Sequence, residues 1–520
     1  MIIGPESHTP YNTGSPTDKC LAWSWESTQM QQRQLKPQGM ISVVLVFLLT
    51  LTLASSASAA STTKTLSTNF TLINFGSSTA NVAVEYLEDT GSSWAADSAN
   101  TSFTIGPDGG QKIIRQYTDS TMTSGRGSAV VSSTEPLGAV VQIRAIGQTP
   151  TSGAYSGFAS TSDTYYIPLV ARRLNTASGL GNSQIMVQNA DTNAATVDIQ
   201  LIGSPSYTKS GVSIPASSTY YYDLDDESEG NVPSNWFGAA VVSASGGAQI
   251  AVVSNFFLGP HAMQTFNAFP AESLGTEWLV PLFTSRLANG LSTPVAVQNL
   301  SGGTIGAGGV TMDCIKDPGS PGSDFAVSNT SSIADNAAYY FNPVTDLSLP
   351  EAWYGACRVS STGSVVAFVQ MRFIGTDQAA AYEAIRADGT DTVAFIPLVA
   401  KRLANGFATA VTIQNLSPTD PASVTFTYVP SPDYVAGGGS SSNITVGPYS
   451  IPAGGSLIHN HRMPGTGSGS GQHNLPDEWY GSLVVDSSDQ PINGFVQLTN
   501  IYNSSGDDFM AHDAFTFSIN

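Results

Sequence analysis

Internal repetition constrains the fold of this chain more than any other feature of its sequence. Three segments combine a proline-containing apolar run, a basic residue and a downstream Gln-Asn pair, and they begin at Tyr165, Glu277 and Val393. Their prolines lie 113 and 116 residues apart, at Pro168, Pro281 and Pro397. Because a period of about 110 residues is the size of a complete small β-sandwich, we predict a tandem array of such units.

A second signature follows in each repeat and predicts two further strands. It contains an aromatic pair, a glycine and two alternating apolar runs, and it begins at Asn235, Ala352 and Glu478. The short Ser/Gly/Asp turn between the two runs is typical of a β-hairpin. A degenerate fourth copy comes first in the chain, with the Asn-ending strand at Phe70 and the paired runs from Gly127, but without an IPLV-type run.

The chain is therefore predicted to be all-β, a tandem array of four immunoglobulin-like β-sandwich units. Each unit contains six or seven candidate strands, and helical periodicity is nearly absent. The predicted boundaries are 1–59 for a leader, then 60–163, 164–275, 276–391 and 392–520 for the units. Since rigid sandwiches joined by short connectors form elongated particles, we expect a rod of about 150 Å.

The N-terminal segment predicts export. An apolar run at 41–53, too short to span a membrane, follows basic residues and precedes an Ala-Ser-Ala sequence that ends at Ala59. This is the pattern of a secretory signal peptide, with cleavage expected after Ala59; its length leaves Met30 and Met40 as alternative starts. No later apolar run or sorting motif is present, so we expect a secreted, cell-surface protein without a membrane span.

Charge limits the partners of the chain. It contains 39 acidic and 19 basic residues, for a net charge of −20. Such a field repels phosphate backbones and anionic membranes, so nucleic acid is excluded as a partner. The remaining partners are the chain itself, through head-to-tail or lateral assembly, and other polymers of the cell envelope.

Two cysteines remain once the leader is removed. Cys314 and Cys357 both lie on predicted strands of the third unit. Exported chains favour disulfides, and we predict a bond between these two residues, with two buried thiols as the alternative.

The motifs resemble a repeat found in exported surface proteins of filamentous green non-sulfur (Chloroflexus-like) bacteria. In that repeat, IPLV-x-[KR] leads into a VQN strand, an IP-x-G step and a G-S-A-V-V hairpin. The resemblance covers nearly all of residues 61–520 and implies an extracellular or surface location. It implies no activity. The first unit departs from the pattern because it lacks the IPLV strand.

Residues that recur in the motifs are interpreted as structural. Three arginines after the IPLV strand are expected to donate to carbonyls at unit junctions, with a ligand-binding stripe as the alternative: Arg173, Arg286 and Arg402. The asparagines that end the next strand are expected to cap turns: Asn189, Asn299 and Asn415. The tryptophans of the second signature are expected to pack inside the sandwich, with sugar stacking as the alternative: Trp236, Trp353 and Trp479.

Two clusters are candidate metal sites, and each has a simpler explanation. Alternating acids in the second unit are candidate Ca²⁺ ligands, with a solvated acidic loop as the alternative: Asp223, Asp225, Asp226 and Glu227. Three histidines of the fourth unit are candidate ligands of a transition metal: His459, His461 and His473. Apart from these candidates, we expect no cofactor. Asn329 and Asn443 are the sequons placed in predicted loops and are the candidate glycosylation sites.

Catalytic motifs for a serine hydrolase, a zinc protease or a P-loop enzyme are absent from the sequence. We therefore expect a non-catalytic structural or adhesive protein of the cell exterior. The alternatives are a glycan-binding array and a hydrolase with a site in the fourth unit. The missing IPLV strand predicts an open edge in the first unit that accepts a strand from another molecule, unless residues 63–68 supply a replacement.

Overall fold

The structure is a computed structural model, and it describes residues 43–49, 66–145, 149–176, 178–226, 232–464, 475–503 and 505–516, with backbone only for 43–49. The described elements are almost entirely antiparallel strands, which confirms the predicted all-β sandwich class. Within these ranges, the helices are α1 (Ser98–Thr101), α2 (Pro432–Ala436) and short 3₁₀ turns at Gln116–Thr118, Ser245–Gly247 and Ala271–Ser273. None of the helices in these ranges is long and apolar enough to cross a membrane.

The first body contains two four-stranded sheets, in the orders β1-β6-β3-β4 and β5-β2-β7-β8. Its strands are β1 (Val43–Leu49), β2 (Leu66–Asn74), β3 (Ala80–Glu88), β4 (Ser102–Ile105), β5 (Gln111–Arg115), β6 (Gly127–Ser133), β7 (Leu137–Ala145) and β8 (Ser152–Ser156). On β3, buried and exposed residues alternate from Ala80 to Tyr86, as expected for a strand with one face on a core.

The second body contains sheets in the orders β13-β12-β15-β9-β18 and β10-β11-β16-β17, with β14 beside β11. Its strands are β9 (Thr164–Arg172), β10 (Leu174–Thr176), β11 (Gly179–Asn189), β12 (Ala195–Gly203), β13 (Tyr207–Ile214), β14 (Thr219–Asp223), β15 (Trp236–Ala244), β16 (Ile250–Leu258), β17 (Ala262–Asn267) and β18 (Phe269–Pro270). The IPLV-type run is β9, and it lies beside β15.

The third body repeats this order, but one strand joins its two halves. Its strands are β19 (Gly275–Ser285), β20 (Leu291–Ser292), β21 (Val295–Asn299), β22 (Val310–Lys316), β23 (Phe325–Ser328), β24 (Ala338–Phe341), β25 (Trp353–Phe373), β26 (Ala379–Glu383) and β27 (Ile385–Arg386). Because β25 continues for 21 residues through both halves, they form a single nine-stranded sheet.

The fourth body has sheets in the orders β31-β30-β33-β28-β36 and β32-β29-β34-β35. Its strands are β28 (Val393–Ala400), β29 (Phe407–Asn415), β30 (Ala422–Pro430), β31 (Ile444–Ile451), β32 (Ser456–Asn460), β33 (Tyr480–Ser487), β34 (Ile492–Asn500), β35 (Phe509–Asp513) and β36 (Phe515–Thr516).

The predicted hairpin of the second signature is wrong. In the first, second and fourth bodies its two runs lie in different sheets: β6 and β7, β15 and β16, β33 and β34. The short connection carries the chain from one sheet to the other instead of reversing it within a sheet. The second run pairs instead with the Asn-ending strand, as β16 does with β11 from Gly181 to Asn189. Alternation and turn composition are the same for both arrangements, so the sequence did not separate them.

The four bodies close into a ring, which contradicts the expected rod. One strand from each body, here called an axial strand, packs against the next in cyclic order: β8 on β17, β17 on β26, β26 on β35, and β35 back on β8. Small residues permit this approach, and a Cβ at Gly153 would overlap the Thr265 side chain. At the periphery, Phe75 of the first body packs against Phe395 of the fourth, with ring centroids 4.8 Å apart.

Candidate functional site

The motif asparagines are buried turn caps in all four bodies. The Asn189 side chain is 0% exposed, its amide donates to the carbonyls of Asn193, Ile214 and Pro215, and its oxygen accepts from the Asp191 N–H. The same contacts, or nearly all of them, recur at Asn74, Asn299 and Asn415. Every polar atom of this side chain is therefore used to tie two neighbouring turns together.

The motif arginines Arg286 and Arg402 donate to carbonyls as predicted, but the predicted place of these bonds, at unit junctions, is wrong, because both residues donate within their own bodies. Arg286 donates to the carbonyls of Pro343, Asp346 and Leu349, and Arg402 donates to the carbonyl of Arg462 at 2.9 Å. Arg173, Arg286 and Arg402 all have φ near +45°, in the left-handed region. This repeated geometry favours a structural role over a ligand-binding stripe.

The aromatic-glycine pair of the second signature is also structural. Trp236, Trp353 and Trp479 are at most 3% exposed, so these rings offer no platform for sugar stacking. The glycine that follows recurs at Gly127, Gly238, Gly355 and Gly481, where a Cβ would overlap a backbone carbonyl of the neighbouring strand. Only glycine permits this close approach.

The ring axis brings polar groups of all four bodies together, and we take it as the candidate site. At one end, the fully buried carboxylate of Asp507 accepts from the backbone N–H groups of Met263 at 2.8 Å, Ala379 at 3.3 Å and Phe509 at 3.1 Å. The Ser152 hydroxyl donates to the Asp507 carbonyl at 2.9 Å. Asp507, which belongs to the fourth body, thus contacts the first, second and third bodies.

A second interaction supports the same end of the axis. Asp508, 2% exposed, pairs with Arg144 of the first body at 2.7 Å. The Arg144 guanidinium also lies over the Phe407 ring, 4.5 Å from its centroid. Because this ion pair is half-enclosed and stacked, it is held in one geometry more firmly than an exposed pair.

The other end of the axis holds two carboxyl groups. The Glu383 side chain accepts from the Asn267 N–H at 2.7 Å, and the Asp513 side chain accepts from the Glu383 N–H at 3.2 Å. The Asn267 amide donates to the Ser156 carbonyl at 2.8 Å, which adds the first body. Both ends are therefore built from residues of all four bodies.

Burial dominates the electrostatics of the axis. Burial raises the pKa of Asp507 well above its usual range, although three backbone N–H groups oppose this shift. Burial, followed by the nearby Glu383, raises the pKa of Asp513 in the same way. Burial lowers the pKa of His512 to about 4, so this ring is neutral at pH 7. The axis consequently has less negative charge than its acidic residues indicate.

A polar cavity of about 810 Å³ opens at the Asp507 end, between the loops that precede the axial strands. Its lining includes Thr149, His261, Asp377 and Asn503, one from each body. A separate groove of about 330 Å³ lies between the first and fourth bodies and is lined by Arg115, Tyr117, Tyr480 and other residues.

The predicted calcium ligands are engaged elsewhere. The Asp225 carboxylate is 1% exposed and pairs with Arg173, and Asp223 accepts from the Asn182 amide at 3.2 Å. Asp226 lies beside them at the end of the described segment, and Glu227 lies outside the described residues. Across the part of the chain that the structure describes, no group of three or more His, Cys, Asp or Glu side chains is arranged to hold a metal.

Two of the predicted metal-ligating histidines belong to the core of the fourth body. His459 and His461 are 0% exposed, and the Tyr428 hydroxyl lies 2.9 Å from Nδ1 of the first and 3.1 Å from Nε2 of the second. His459 stacks on Phe426, with ring centroids 3.9 Å apart. His473 lies outside the described residues. These contacts favour a packed aromatic cluster.

The two candidate glycosylation sites differ. Asn329 is 2% exposed, and its amide donates to the carbonyls of Gly306 and Ser331, so the prediction of a glycan there is wrong for the folded chain. Loop-like composition did not reveal that this side chain is a turn cap. Asn443 is exposed and stays a prediction.

The predicted disulfide is present. Cys314 on β22 and Cys357 on β25 are paired directly across the two strands and joined by an S–S bond. The bond therefore links two neighbouring strands of one sheet in the third body.

Comparison with known proteins adds little. No protein-family model and no curated protein matches the chain. Among solved structures, the chain aligns with the crystal structure of a tetra-tandem repeat in the extending region of a large adhesion protein. The alignment has 12% identity and covers 92% of this chain and 100% of that chain. The TM-score of 0.09 is too low to support any argument about fold or function.

The axial residues were missed by the sequence analysis. Asp507 and Asp508 follow Gly506 only in the fourth body, so no repeat comparison singles them out. The sequence does contain one unusual feature here: two consecutive acidic residues directly precede an apolar strand, in a chain that has few charged residues.

Proposed function

We propose that this protein is an exported, non-catalytic structural component of the cell exterior, built as a compact ring rather than a rod. The observation that carries the proposal is the closure at the axis, where the Asp507 side chain of the fourth body accepts from N–H groups of the second and third bodies and its carbonyl accepts from the Ser152 hydroxyl of the first. A closed array presents four rigid bodies in a fixed arrangement, which suits a building block or spacer.

The motif residues support this proposal. The asparagines, arginines and tryptophans of the repeats are used to hold turns and cores together, and the disulfide is compatible with an extracellular location. The glycan-binding alternative no longer has exposed motif tryptophans, but the groove with Arg115, Tyr117 and Tyr480 keeps it open. Tyr117 is 51% exposed. Loss of polysaccharide binding in the Tyr117→Ala variant would favour the glycan-binding alternative.

Localisation is tested by labelling intact cells of the source organism with antibodies against residues 60–520. We expect labelling without permeabilisation and recovery of the protein in the envelope or the medium. Labelling that requires permeabilisation contradicts the proposal.

The ring is tested by Asp507→Ala, with Asp388→Ala as a matched control because the Asp388 side chain is exposed and pairs with Arg386 of its own body. We expect Asp507→Ala to increase protease cleavage between bodies and to leave each body folded. Asp388→Ala should behave like the unchanged chain. Equal protease resistance of both variants contradicts a structural role of the axis.

A further inference from the structure

One edge of the first body is occupied differently from the same edge in the other three. In bodies two to four, the IPLV-type strand lies there: β9 beside β15, β19 beside β25, and β28 beside β33. In the first body, β1 (Val43–Leu49) lies beside β6 (Gly127–Ser133). Since β1 is part of the predicted leader, removal of the leader exposes the seven-residue edge of β6.

The predicted replacement strand does not fill this place. Residues 66–68 begin β2, which lies in the other sheet between β5 and β7. Residues 63–65 lie outside the described residues. Residues 66–68, the described half of the segment 63–68, therefore do not supply the missing strand.

The geometry of β1 also differs from that of the strands it replaces. Each of the three IPLV-type strands has a register shift in its pairing, and the skipped residues include the motif proline, as between Ile167 and Val170 around Pro168. β1 contains no proline and pairs with β6 residue for residue without a shift. The position is thus one that proline-containing strands fill in every other body.

The second body faces this position with a residue suited to such a strand. At the junction between the second and third bodies, the Tyr340 hydroxyl of the third body donates to the Pro168 carbonyl of the second at 3.0 Å. Tyr221 occupies the same register position, because both tyrosines pair with the residue three before the motif asparagine. The Tyr221 ring contacts Arg126 of the first body at 4.2 Å, which places it at this junction.

We propose that, once the leader is removed, the edge of β6 binds an extended segment of another protein. The segment has an apolar-Pro-apolar sequence followed by a basic residue, and it adds as an antiparallel strand between the first and second bodies. A second copy of this chain is not the donor, because β9, β19 and β28 are each held within their own bodies. The inference rests on removal of the leader, which is part of the proposed function.

The test uses residues 60–520 produced directly, so that it does not depend on export. A labelled peptide with the sequence of residues 164–173 is titrated into the protein, and hydrogen exchange of residues 127–133 is followed. We expect saturable binding and slower exchange of these amides when the peptide is present. A peptide with Ile167 and Val170, both 0% exposed in β9, changed to Asp should bind at least about tenfold more weakly.

Tyr221→Phe tests the orientation of the strand. Loss of one hydroxyl donor should weaken peptide binding by about three- to tenfold. Tyr340→Phe is the matched control, because its hydroxyl serves a position that β9 already fills, and it should leave binding unchanged. Slow exchange of residues 127–133 without peptide, combined with no peptide binding, overturns the proposal. An intact mass showing that the exported protein retains residues 43–49 also overturns it.

Discussion

At the scale of single residues, the repeats are explained by buried polar side chains with complete hydrogen bonding. Asn189 and its three counterparts have partners for both the amide and the oxygen, so burial does not leave an unsatisfied group. Repetition at fixed spacing was sufficient to predict their structural role. Asp507 was not predictable, because its partners come from three other bodies and its sequence context occurs once.

Asn189→Ala should destabilise the second body. The change removes three donated bonds and leaves two turns without their link, which should lower the free energy of unfolding by about 1–3 kcal/mol. Thermal and urea unfolding of residues 60–520 measure this loss. Asn193→Ala, in the exposed turn beside it, should change stability little. Equal effects of the two substitutions would refute the assigned cap.

His459 should make stability depend on pH. Burial lowers its pKa from 6.5 to about 4. Below about pH 6.5 the unfolded chain binds a proton that the folded chain does not bind, so stability is lost as the pH falls from 6.5 towards 4. His459→Asn should reduce the loss of stability between pH 7 and pH 5, measured by urea unfolding. Asp507 and Asp513 have raised pKa values and act in the opposite direction, but they are common to both proteins. An unchanged pH dependence would exclude a buried neutral His459.

At the scale of elements, the strands were predictable but their pairing was not. The alternation that defines β15 and β16 is the same whether they form a hairpin or cross between sheets. The axial strands follow each second run after a short loop, and nothing in their own sequences shows that they contact other bodies. Their partners are determined by packing of whole bodies, which no local pattern encodes.

Gly355→Ala should disturb pairing of β22 with β25. A Cβ there would overlap the Ile315 carbonyl, and the strands must move apart to accept it. The cost of such overpacking is about 1–3 kcal/mol. Gly303→Ala, at a position with open space around the Cβ, serves as the control and should be neutral. Thermal unfolding of both variants decides the matter; a neutral Gly355→Ala would show that the close approach is not required.

At the scale of the whole molecule, the described contacts replace the expected rod by a ring. The repeats predicted sandwich-sized units of one class, but short connectors are equally compatible with a straight and a closed array. Closure depends on contacts between residues more than 350 positions apart, such as Arg144 with Asp508 and Ser152 with Asp507. Such contacts follow from the shape of the bodies, and a sequence read in windows does not contain them.

Small-angle X-ray scattering of residues 60–520 tests the ring most directly. A compact chain of this length should have a radius of gyration of about 23 Å. A rod of about 150 Å, as expected for an open array of four sandwiches, should give about 43 Å. A value near the first, unchanged on dilution, is the result that the ring predicts, and a value near the second would contradict it.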